Sequence, residues 1–167
     1  YHNNSNKKLE CTYENNLLQG KLTTWYFNGN IKEEKHYLDN LLEGKVSEWN
    51  EEGVKLLETN YVRDTLHGRY RAWHPNGQLM VEGNYKMGIY DGKWLFWDES
   101  GIKVGEGNFE NGTGKHVAYY IDGKPKREVN YRNNLKHGME IRWNEDGEVV
   151  EAIEYIDEIG RASCRER

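Results

Sequence analysis

The chain has 167 residues; 36% are hydrophobic and 13% aromatic, with 6 Trp, 12 Tyr, 18 Gly and 2 Pro. A mean hydropathy of −1.03 excludes a deep aliphatic core and favours a thin architecture in which wide rings with polar handles pack near the surface. The formal charge of −5 opposes a sequence-independent nucleic-acid binder and weakens attraction to anionic membranes, and no apolar run approaches the ~18 residues that span a bilayer.

In chain order, glycines at Gly20, Gly44, Gly68, Gly92, Gly114 and Gly138 recur at intervals of 24, 24, 24, 22 and 24 residues, the first five before a basic residue. Five places after each stands a ring: Trp25, Trp49, Trp73, Trp97, Tyr119 and Trp143. Four further on is a second glycine, at Gly29, Gly53, Gly77, Gly101, Gly123 and Gly147. Eight beyond that is a second ring, at Tyr37, Tyr61, Tyr85, Phe109, Tyr131 and Tyr155. A glutamate precedes five of these rings by three places, with Ala152 the exception. Markers held in register through six copies define a tandem repeat. The units are 20–43, 44–67, 68–91, 92–113 and 114–137, with partial units at 1–19 and 138–157. Tyr1 and Ser5 continue the frame backwards, so the chain reads as truncated at both ends. Residues 158–167 break the pattern, look like the translation of a sequencing adapter, and are set aside.

Each unit alternates short stretches rich in aromatic and β-branched residues with Gly-bearing turns, a hairpin signal. Tetrapeptides such as Tyr26-Phe-Asn-Gly29 and His74-Pro-Asn-Gly77 suit a type I turn whose fourth residue forms a G1 bulge, with Pro75 supplying the required φ. A two-residue Asn-Gly turn is the competitor. The bulged register places both aromatic rows on one sheet face, where ring-on-ring contact is the main core on offer. The linker glycines, such as Gly44 and Gly68, are expected to close the connection to the next hairpin. The expected fold is all-β: an elongated, twisted, single-layer antiparallel sheet of tandem hairpins, about thirteen strands extending roughly 60 Å.

The Gly-x-x-x-x-Trp-x-x-x-Gly-x-x-x-x-Glu-x-x-Tyr frame, with linkers such as Leu66-His67-Gly68 and Lys136-His137-Gly138, resembles the MORN (membrane occupation and recognition nexus) repeat. Glu82-Gly83-Asn84-Tyr85 and Glu106-Gly107-Asn108-Phe109 look like its Glu-Gly-x-aromatic core. The variant repeat of bacterial YwqK-family antitoxins is the closer likeness. That resemblance covers residues 1–157 and implies a protein that binds and silences a partner protein.

No constellation reads as catalytic. His2, His36, His67, His74, His116 and His137 do not converge with carboxylates in sequence; His67 and His137 share a slot held elsewhere by Gln19, Glu43, Asp91 and Thr113, which marks a turn position. The repeated glutamates, Glu10 to Glu128, suit structural bonds to turns or to the basic row of Lys21, Lys45, Arg69, Lys93 and Lys115. Gly105-Glu-Gly107 lacks the third glycine of a dinucleotide fingerprint. Cys11 and Cys164 have no metal-ligand spacing. No cofactor or metal is expected. The aromatic rows serve as the sheet's core, as a platform, or as both. The atypical fourth unit sets Trp94 and Phe96 on the face opposite Trp97, which makes them the candidate partner-binding residues.

The expected function is therefore a non-catalytic scaffold for a protein partner, antitoxin-like, with no nucleic acid. The alternatives are a membrane-lipid or glycan-binding module and the accessory domain of a larger enzyme. The protein is expected to be bacterial, cytoplasmic or exported according to what precedes Tyr1.

Overall fold

Two kinds of reversal alternate along the chain. At the first, the amide of Gly29 donates to the Tyr26 carbonyl at 3.0 Å and the amide of Tyr26 to the Asn30 carbonyl at 2.8 Å, with Gly29 at φ +94°. This is the type I turn with a G1 bulge, and it recurs at Gly53, Gly77, Gly101, Gly123 and Gly147. The second reversal is a two-residue turn with both φ values positive: Asn15-Asn16, Asp39-Asn40, Arg63-Asp64, Met87-Gly88, Asn111-Gly112, Asn133-Asn134 and Asp157-Glu158. Such mirror-type turns match the right-handed twist of the flanking strands.

The computed structural model describes residue 3 and residues 6–162, with side chains to residue 158. Tyr1, His2, Ser5 and Cys164 lie outside the described residues. The strands are β1 (Leu9–Glu14), β2 (Leu17–Trp25), β3 (Ile31–Leu38), β4 (Leu41–Leu42), β5 (Gly44–Trp49), β6 (Lys55–Val62), β7 (Thr65–Leu66), β8 (Gly68–Trp73), β9 (Leu79–Lys86), β10 (Ile89–Trp97), β11 (Lys103–Glu110), β12 (Thr113–Tyr119), β13 (Pro125–Arg132), β14 (Leu135–Trp143), β15 (Val149–Ile156) and β16 (Ile159–Ala162). They form one open antiparallel sheet in sequence order, with β4 and β7 as stubs ahead of β5 and β8. The described residues include no helix, and substantial packing runs only between sheet neighbours. The fold is an all-β, single-layer array of tandem hairpins.

The linker glycines do not make the turns. Tyr61 pairs with Leu66 but Glu58 with Arg71, so the second strand carries two extra residues around His67 and Gly68. Gly20, Gly44, Gly92 and Gly138 sit in the same kind of break, each with positive φ. The turn itself lies four residues earlier, and Arg63-Asp64 carries no glycine to announce it. The β11–β12 hairpin differs: its register is unbroken from Gly105–Ala118 to Glu110–Thr113. Those two missing residues account for the 22-residue unit.

The face assignment of the first aromatic row needs correction. Glu48 pairs with Leu57 but Trp49 with Lys55, leaving Leu56 as an extra residue. The same bulge falls at Lys32, Met80, Val104, Lys126 and Val150. An extra residue between the two rows reverses the alternation. The Trp25, Trp49, Trp73, Trp97, Tyr119 and Trp143 row therefore lies on one face, here the ladder face. Tyr37, Tyr61, Tyr85, Phe109, Tyr131 and Tyr155 lie on the other, the aromatic face.

Residues 158–162, set aside on sequence grounds, continue the sheet: β16 pairs with β15 beyond the Asp157-Glu158 turn. An open sheet edge offers main-chain groups to any short strand, with little demand on its side chains.

Arg63 occupies a left-handed conformation at φ +45°, which asparagine and glycine adopt more readily. Arg63→Asn is expected to raise the urea midpoint at unchanged slope, by about 0.5–1 kcal/mol.

Candidate partner-binding surface

On the aromatic face the centre of the array differs from both ends because of two glycines. A Cβ at Gly83 would overlap the Trp94 indole, and one at Gly107 would come within 2.6 Å of the Phe109 ring. The rings thus lie down on bare backbone, where the neighbouring β6 and β13 carry Thr59 and Val129 at the corresponding place. Trp94 is only 4% exposed and Phe109 7%; with Ala72 and Val81 they form the core cluster.

Around this core stand Tyr70, Tyr85, Tyr90, Phe96 and Tyr131, each half-buried. Tyr90 is the hub: its ring centroid lies 5.3 Å from Tyr85, 5.0 Å from Trp94, 5.3 Å from Phe109 and 6.4 Å from Tyr131. Phe96 lies 6.5 Å from Trp94 and meets His116 edge-on at 4.7 Å. Each such pair contributes about 0.5–1.5 kcal/mol beyond burial. Burial raises the phenol pKa values of Tyr70, Tyr85 and Tyr131, so all three rings stay neutral.

This placement corrects the reading of Trp94 as a contact residue: its indole is covered by the surrounding rings and belongs to the core. Phe96 stays at the surface on the face opposite Trp97. Tyr70 and Tyr90, which the repeat frame does not mark, complete the patch; their only sequence signal is even spacing with Trp94 and Ala72 along their strands.

Toward the C-terminal end the same face becomes ionic. Glu140, 1% exposed, accepts from Arg127 at 2.7 Å, Lys136 at 2.8 Å and Arg142 at 3.1 Å. Burial pushes its carboxyl upward, but the bonds from Arg127 and Lys136 outweigh it and hold the pKa at about 2.

The ladder face carries the repeated glutamates. Glu34, Glu58, Glu82 and Glu128 pair with Lys21, Lys45, Arg69 and Lys115, so of the two structural alternatives the ion pair is the one formed. Hydrogen bonds from Lys45 and Lys55 lower the Glu58 pKa to about 2. The sixth unit loses both members together, with Met139 and Ala152 in their places. Lysines also cover the rings: Lys7 lies over Trp25, Lys55 over Trp49 and Trp73, and Lys103 over Tyr119, at 5.4–5.9 Å. A ring face under an ammonium is not open for sugar stacking.

The histidine slot is an acceptor slot before four of the six linker glycines. Gln19, Glu43, His67 and Asp91 accept from the amides of Asp39, Arg63, Met87 and Asn111 in the following turns. Among the described residues no three or more of His, Cys, Asp and Glu gather as a metal ion requires, and Cys11 is free.

The repeated geometry has a counterpart among known families. A family model for the MORN repeat variant matches residues 18–39, 66–87, 90–111 and 113–133, just over half of the chain. The chain belongs to the MORN repeat variant family. No curated protein matches it. The MORN-variant hairpins at 40–65 and after 133, outside the matched segments, carry the same turns and bulges.

Two outcomes follow. Gly83→Ala forces a methyl into the Trp94 indole and is expected to cost about 3 kcal/mol, with a shifted tryptophan emission. Glu140→Gln takes the carboxylate from Arg127 and Lys136, while Arg142 keeps Glu151 at 2.9 Å, and is expected to cost about 1–3 kcal/mol at neutral pH. Because the Glu140 pKa is depressed below its ordinary 4.5, its contribution is present above that value and lost as pH falls toward 2. Urea melts from pH 6 to 2 should therefore show a shallower acid loss for the variant than for the parent.

Proposed function

We propose that this MORN-variant array is a non-catalytic scaffold that binds a partner protein through the aromatic face of its central repeats, and that it neutralises that partner in the manner of an antitoxin. The observation that carries the reading is the contiguous patch of Tyr70, Tyr85, Tyr90, Phe96 and Tyr131. No other element of the described residues packs over it. A clustered, half-desolvated patch of aromatic residues suits a protein–protein hot spot. Lipid binding has less support, since four members of the basic row already hold glutamates. The antitoxin component rests on the resemblance to YwqK-family proteins.

Phe96→Asp is expected to abolish retention of a protein that the parent holds in near-equal amount, while Ile121→Asp, at a turn residue 77% exposed, leaves retention intact. Equal retention by Phe96→Asp, with an unchanged circular dichroism spectrum, would sink the assignment of this surface. For the antitoxin component, cells expressing the captured partner should stop growing and recover with the parent chain. A harmless partner would remove that component alone.

A further inference from the structure

One member of the basic row on the ladder face lacks its carboxylate. Lys21, Lys45, Arg69 and Lys115 each hold a glutamate of the adjacent strand, whereas Lys93 forms no ion pair among the described residues. At this unit the ring of the first row is Tyr119, the one member that is not tryptophan. Its hydroxyl donates to Glu106 Oε1 at 3.0 Å, and Lys103 donates to Oε2 at 3.1 Å. Both oxygens of the carboxylate that Lys93 would take are engaged.

A second departure falls at the same place. Asn60 and Asn130 donate their side-chain amides to the carbonyls of Arg69 and Met139, next to the linker glycines. The β11–β12 register has no bulge, and Asn108, in the equivalent position, makes no side-chain hydrogen bond among the described residues. Lys93 faces Asn108 across one strand pair, and Asn108 faces Lys115 across the next. An ammonium, an amide and a second ammonium thus stand in a row across three strands. They line an open depression with Glu106, Gly107 and Val117.

We propose that this depression binds a carboxylate from an acidic segment of the partner protein, an inference that rests on the partner-binding reading and adds a contact on the opposite face of the same repeats. The charges select a monoanion. Lys115 is balanced by Glu128 and Lys103 by Glu106, which leaves Lys93, attracted to Glu106 without an ion-pair contact, as the cation of the depression open to a further partner and Asn108 as a neutral second donor. A phosphate dianion would exceed that charge and meet Glu106 at close range.

The test is a titration of the isotope-labelled chain with a short, N-acetylated, glutamate-only peptide, followed by nuclear magnetic resonance. The Asn108 side-chain amide is expected to shift saturably. Lys93→Gln is expected to weaken binding about fivefold, the scale of one exposed charge pair. Tyr119→Phe keeps the ring under Lys103 but releases Glu106 to Lys93, and is expected to weaken binding by a similar factor with the sheet intact. An Asn108 amide that does not respond, a response unchanged in both variants, or tighter binding of inorganic phosphate than of the peptide would each overturn the assignment. The peptide replaces the partner as probe, so loss of the aromatic-face reading would leave this result standing, and the converse also holds.

Discussion

The two-faced character of the sheet depends on one extra residue per hairpin. Strict alternation would have put both aromatic rows on a single face and left the other to charge alone. The bulge opposite each first-row ring, as at Leu56 opposite Trp49, reverses the alternation midway along the hairpin. It delivers the first row to the ladder of glutamates and lysines, and the second to the face that holds the core. A single layer can then support both faces, with cation-covered rings on one side and ring-on-ring packing on the other.

Successive units are tied along both margins of the sheet. At one margin the type I turns stack: the Tyr26 hydroxyl donates to the Trp49 carbonyl, Asn76 to Glu99, and the Tyr120 hydroxyl to Trp143. At the other, each two-residue turn meets the turn before it, as when the Asn40 amide donates to Leu18 and Asp64 to Leu42. Asn40 and Asp64 also accept the Leu18 and Leu42 amides with their side chains. These bonds satisfy main-chain groups that an isolated hairpin would leave to water.

Period, strand content and the type I turns were legible because glycine, proline and the rings report local backbone demands that hold in every unit. The second turn was not, because its first place is held by residues such as Arg63 and Met87, kept in left-handed conformations by their neighbours instead of by their own preference. The bulge opposite the first ring has no signature residue; Lys32, Leu56, Met80, Val104, Lys126 and Val150 share no chemistry, so the faces were misassigned. Trp94 read as a surface residue for a related reason. The glycine that receives its indole, Gly83, belongs to the adjacent strand, and only the strand register brings the two together.

At Gly88 and Gly112 the turns have no side chain to offer the previous unit. Asn134 supplies one from further along, with its Oδ1 accepting from the Tyr90 amide and its Nδ2 donating to the Gly88 carbonyl. It passes over Gly112, whose missing Cβ leaves the room. In an array of this kind each unit ordinarily depends on its immediate neighbours alone, and opening can start anywhere. A clasp that skips a unit changes this for the middle of the chain. Parting the β9–β10 turn from the β13–β14 turn breaks both Asn134 hydrogen bonds at once, which ties the opening of the units between Gly88 and Asn134 to one another.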